Sequence, residues 1–95
     1  MIAQELEVTL HMAFMDARQR KHEFVTVEHL LLALLDNPSA SEIFKACDID
    51  VTDLRKVLLE FVEEHTPQIK SKDIDTQPTL GFQRVIQRAI LHVQS

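Results

Sequence analysis

An all-α bundle is the fold this sequence predicts, and three observations predict it. The 95 residues include one Gly, Gly81, and three Pro, at 38, 67 and 78. That is too few turn formers for a β-sandwich or barrel. Aromatic residues are 5% of the chain, with no Trp or Tyr, while 45% is hydrophobic and mostly aliphatic, which suits helix packing. Apolar residues also recur at helical spacing in several separate stretches. The length supports one small domain with a modest core.

The first segment runs from about Ile2 to Arg20. Leu6, Leu10, Ala13, Phe14 and Ala17 form one stripe, and Gln4, Glu7, His11, Asp16 and Arg18 face outward. The second begins at Thr26, a good N-cap, with Glu28 meeting the positive end of the helix dipole. Val27 and Leu30 to Leu35 are apolar on nearly every side, the pattern of a helix buried mid-bundle. Asp36-Asn37-Pro38 ends it, because Pro disfavours helix at the residue before it.

A third helix is expected from Ser39, which has capping-box spacing to Glu42. Ile43, Phe44 and Cys47 supply its apolar face, with Cys47 as a small core residue. The fourth follows Asp50, with Leu54, Val57, Leu58, Phe61 and Val62 as a stripe ending before Pro67. Residues 66–78 show no period and read as a linker. A fifth helix, 79–95, carries Phe82, Val85, Ile86, Ala89, Ile90 and Val93, with Gln83, Arg84, Gln87 and Arg88 on the wet face. It echoes the first: with Phe82 set on Leu6, Ile86 falls on Leu10 and Ala89 on Ala13. A second unit is therefore expected to begin there and not finish, as in a fragment of a longer protein. The fifth stripe should pack on segments one to four or on another copy.

Composition excludes several functions. A phosphate-binding loop needs two glycines and a dinucleotide loop three, and the chain has one. The formal net charge of −5 opposes binding to nucleic acid, which depends on basic residues. It also opposes a helix-turn-helix DNA reader, as does a second helix with no exposed recognition face. Cys47 is alone, so no intramolecular disulfide forms. No apolar run approaches the ~20 residues that span a membrane, and the acidic start is no signal peptide. Cytoplasmic location is the default.

His22-Glu23 invites a zinc-protease reading, but that motif needs a second His four positions after the first. Thr26 stands there. His22 and His29 are seven apart across the expected helix start and need not share a face. His22, Glu63 and His65 are weak candidates for a metal set if their loops meet; a solvated helix end is the simpler reading. His11 and His92 read as surface residues. Nothing resembles a nucleophilic triad, and the chain is not expected to be an enzyme. What remains is a binding module. Glu23 and Glu28 flank one helix start, facing water, and Thr79 and Arg84 lie at another. A carboxylate and a guanidinium make good polar anchors for a protein, although spacing alone does not separate them from ordinary charged surface.

Ala17-Arg18, His22-Glu23-Phe24 and Thr26-Val27-Glu28-His29 followed by Leu30 to Leu35 resemble the start of a Clp N-terminal domain. Asn37-Pro38-Ser39-Ala40, Ala46-Cys47, Asp75 to Leu80, Phe82-Gln83-Arg84-Val85 and His92 to Ser95 point within that family to its ClpA branch. The resemblance covers essentially the whole chain. It implies an all-α pseudo-repeat of two four-helix units, of which residues 1–65 match the first, 66–78 a linker and 79–95 the first helix of the second. It implies a docking module for protein substrates and the adaptor ClpS, which delivers N-end-rule substrates. The rest of a hexameric AAA+ unfoldase, binding ATP and Mg and docking on ClpP, would lie beyond Ser95, and no cofactor is expected in this chain. Carried over by position, the adaptor surface would use Glu23, Glu28, Thr79 and Arg84. Gly81 departs where the family suggests Ser, and residues 68–74 are shorter than in close relatives. The alternative reading is a helical module with a metal-binding or purely structural role.

Overall fold

A computed structural model describes residues 2–70 and 75–94, with side chains for 4–70 and 75–92. Residues 71–74 of the expected linker, the Val93 side chain and Ser95 lie outside the described residues. Five helices dominate: α1 (Ile2–Gln19), α2 (Val27–Leu34), α3 (Pro38–Ala46), α4 (Val51–His65) and α5 (Leu80–Gln94). Two short strands join them, β1 (Phe24–Val25) and β2 (Gln77–Pro78), paired in parallel with Phe24 opposite Gln77 and Val25 opposite Pro78.

The helix stripes divide into two apolar clusters. Ala13, Ala17, Val25, Leu30, Ala33 and Phe82 are buried together, with Leu10, Phe14, Leu34 and Ile86 packed around them. The small alanines of α1 let α2 approach closely. Phe82 inserts from α5 and meets Phe14 edge to face at 5.5 Å, so the fifth helix docks on the first two. The second cluster joins Leu32 and Leu35 to Leu58 and Val62 of α4. Burying each large side chain stabilises by roughly 1.5–3 kcal/mol.

Helix ends show why the chain turns where it does. Lys21 adopts φ 58°. His22 N–H bonds to Ala17 O at 2.9 Å and Lys21 N–H to Arg18 O at 3.0 Å. This is a Schellman closure of α1 with a non-glycine residue in the left-handed position. Asp48, at φ 62°, closes α3 likewise through Ile49 N–H to Phe44 O and Asp48 N–H to Lys45 O. Asp50 caps α4 by accepting from Asp53 N–H at 3.1 Å.

Several expectations need correction. The third helix starts at Pro38, capped by Asn37, whose side chain accepts from Ala40 N–H. The expected cap, Ser39, instead donates to Glu5 at 3.1 Å. Pro fits the first helical position because its missing N–H would be unpaired anyway. Nothing in α3 is buried. Cys47 is exposed, not core, because it follows the last turn of a helix that rests on α4 by one edge. Leu31 is 37% exposed and Val57 60%, so α2 is not covered all round and only part of the α4 stripe is. On α5, Phe82 is buried, while Leu80, Val85, Ile90 and Leu91 remain exposed.

Candidate functional site

The stretch between α1 and α2 is built on backbone polarity. Glu23 N–H donates to Pro67 O at 2.7 Å and Ile69 N–H to Lys21 O at 2.7 Å. Gln77 N–H donates to Glu23 O and Thr79 N–H to Val25 O, at 2.9 and 3.0 Å. Both described ends of segment 66–78 are thus pinned along residues 21–25. Thr79 then starts α5, its hydroxyl accepting from Phe82 N–H at 3.1 Å and its carbonyl from Gln83 N–H.

This ladder draws the expected docking residues towards one corner. Glu23 and Thr79 are bonded into it through their backbones. Glu28 sits in the first turn of α2. Arg84 lines a depression of about 440 Å³ with Val27, Gly81, Val85, Arg88 and Leu91. Glu23, Glu28 and Thr79 are half-buried and Arg84 is exposed, so the two carboxylate residues are less open to water than expected. A Cβ on residue 81 would lie 3.8 Å from Val27 Cγ2 and 4.0 Å from Thr79 Oγ1. Those are ordinary contacts, so Gly81 leaves a shallow notch where a serine would also fit.

Beneath the corner lie two histidines. His22 and His29 are both 0% exposed. They do share a site: His22 Nδ1 stands 2.8 Å from His29 Nε2. Thr26 caps α2 in a capping box whose second partner is His29: Thr26 N–H donates to His29 Nδ1 at 3.0 Å, and Thr26 Oγ1 accepts from His29 N–H at 3.4 Å. The usual partner at this position is Glu or Gln. An imidazole nitrogen makes the same return bond, which is why the motif was not read from the sequence. Burial first, then the neighbouring His22, pulls the His29 pKa down to about 4.

Two other buried groups were missed. Thr76 donates its hydroxyl to His22 O at 2.9 Å, and Thr9 accepts from Asn37 Nδ2 at 3.2 Å. Each pairs with a residue far along the chain, and no local pattern signals such a pairing.

The metal candidates are only partly gathered. His22 Nε2 lies 3.5 Å from Glu63 Oε1, a long contact that leaves this buried nitrogen without a hydrogen bond. Glu63 is instead bonded to Arg20 at 3.0 Å, which holds its carboxyl below the usual carboxylate range. His65 is used locally, stacked on Phe61 at 4.2 Å with Nδ1 3.0 Å from Phe61 O. Among the described residues no group of three or more His, Cys, Asp or Glu is arranged to hold a metal.

Comparison with known proteins agrees with this architecture. Residues 1–95 match the Clp repeat (R) N-terminal domain family. The chain belongs to that family. One curated relative, the ClpA homolog protein of Fuscovulum blasticum, is 46% identical over 92 residues. The match covers 95% of this chain and 12% of that protein. The chain is thus a ClpA-like Clp N-terminal domain, all-α, spanning a small part of its relative's length. No helix among the described residues is long and apolar enough to cross a membrane.

Proposed function

We propose that this domain docks adaptor and substrate proteins for a ClpA-like, ATP-dependent Clp protease subunit, and that it binds ClpS through Glu23, Glu28, Thr79 and Arg84. The observation that carries the reading is the ladder from residues 21–25 to 67–79. It joins the start of α2 to the start of α5, so two carboxylates and a Thr–Arg pair from distant sequence can serve one partner. Membership in a family of ATPase-subunit N-terminal domains and the ClpA-like relative support it. On this reading the domain binds without catalysing. ATP, Mg, ClpP docking and hexamer contacts belong to other parts of a cytoplasmic unfoldase. Protein substrates arrive through the adaptor or directly, and neither nucleic acid nor membrane is a partner.

Calorimetric titration with ClpS tests it. The Glu23→Lys/Glu28→Lys variant should bind at least tenfold more weakly than the parent. A charge-matched control on exposed positions, Glu7→Lys/Glu42→Lys, should bind as the parent does. Equal binding by all three proteins would move the docking surface elsewhere.

A further inference from the structure

The docking corner rests on two imidazoles that never reach solvent, and the order of their protons follows from one backbone group. Thr26 N–H can only donate. It faces His29 Nδ1 at 3.0 Å, so that nitrogen carries the lone pair and the ring proton sits on Nε2. His29 Nε2 is 2.8 Å from His22 Nδ1, which must then accept. The His22 proton is left on Nε2, wholly buried, without a hydrogen bond and 3.5 Å from Glu63 Oε1. A single donor order runs from the cap of α2 through both rings towards α4. Outside this order, the His22 backbone carbonyl accepts from the buried Thr76 hydroxyl, one residue before β2.

The two residues therefore link the start of α2 to the segment that enters β2. His29 holds Thr26 at the N-terminus of α2, two residues from Glu28. His22 holds Thr76, three residues from Thr79, through its backbone carbonyl. A pair of apolar side chains could fill the same space, but it would leave Thr26 N–H without its ring acceptor.

We propose that His29 and His22 are positioning residues for the docking surface. Their fixed tautomer order anchors residue 22 to the start of α2, and the carbonyl of that anchored residue ties it to the strand that delivers Thr79. The latch itself stands on geometry, while its role in docking rests on the ClpS reading above.

The test combines nitrogen-15 NMR and amide exchange on the free domain with titration of ClpS. At neutral pH both rings should be protonated at Nε2, with both Nδ1 atoms acting as acceptors. His29→Phe keeps bulk but removes the acceptor. It should speed exchange of the Gln77 and Thr79 amides at least tenfold more than that of the Val62 amide, and weaken ClpS binding tenfold or more. His29→Asn restores an acceptor for Thr26 N–H and should recover part of both losses. Leu58→Ala, which loosens the other apolar cluster, should leave the Kd within twofold. An Nδ1-protonated ring, or Thr79 exchange that simply tracks Val62, would overturn the latch even if ClpS binds. Failure of His29→Phe to fold leaves the tautomers and His29→Asn to decide it. Failure of the parent to bind ClpS, with tautomers and exchange as expected, would overturn the docking reading and not the latch.

Discussion

The two ends of α2 are held by different physics. At its start, Val25, Leu30 and Phe82 pack on the α1 alanines, and directional order is added by polar groups with one permitted partner. Thr26 N–H, two buried imidazoles and a ladder of backbone bonds reach from residues 21–25 to 67–79. At its end, Leu32 and Leu35 lie on Leu58 and Val62, and the neighbouring α3 buries nothing. The apolar end tolerates exchange of one aliphatic group for another, because dispersion and burial are not directional. The polar end does not, because a buried donor without its acceptor costs the full desolvation of that group. A docking surface needs a defined shape more than it needs stability, and in this domain it is the polar end that carries the proposed surface.

The largest effect should come from the largest side chain that joins the polar corner to an apolar cluster. Phe82 is 1% exposed and follows the Thr79 cap by one turn. Phe82→Ala should cost about 3–5 kcal/mol, read by urea unfolding. Exchange of the Thr79 amide should rise before that of the α4 amides. A loss spread evenly over both ends would show that they form one cooperative unit and would erase the distinction.

Acid should separate the two ends next. His29 has a folded pKa of about 4 against 6.5 for the free group. Because the folded value is depressed, the unfolded chain binds more protons between these limits. The histidine's contribution is fully present above pH 6.5 and is lost as pH falls through about 4. The shift corresponds to roughly 3 kcal/mol. Unfolding free energy measured from pH 7 to 4 should fall, and His29→Asn should flatten that slope although it starts from lower stability. An unchanged slope in the variant would mean that other groups govern the acid response.

The same contrast decides what was legible in the sequence. Helices α1, α4 and α5 follow from stripes such as Leu10, Ala13, Phe14 and Ala17, because periodicity reports burial directly. The Thr26 cap was legible for the same local reason. The site was only half legible. Glu23, Glu28, Thr79 and Arg84 came from a family resemblance, whereas nothing in the spacing of His22 and His29 announced a buried pair. The contact needs the left-handed turn at Lys21, and the strand pairing needs residues more than fifty positions apart. Cys47 was misread because an amphipathic pattern does not reveal how little of a short helix its neighbour covers.

The smallest effect sharpens the comparison most. Arg18 and Asp75 meet at 2.8 Å, bridging the end of α1 to the segment that leads into β2. This pair is a side-chain clamp beside the backbone ladder. Its side chains are nonetheless 53% and 63% exposed, so water screens the pair and ordering two flexible chains offsets much of the attraction. Exposed pairs of this kind contribute about 0.2–1 kcal/mol. Arg18→Ala should sit at the lower end of that range, and 0.5 M salt should remove what is there. The Thr79 and Gln77 amides should keep their protection, since their acceptors are the Val25 and Glu23 carbonyls. A large loss of protection in Arg18→Ala would transfer control of the corner from its buried polar bonds to its surface charge, and docking would then weaken with ionic strength even where both Glu23 and Glu28 are intact.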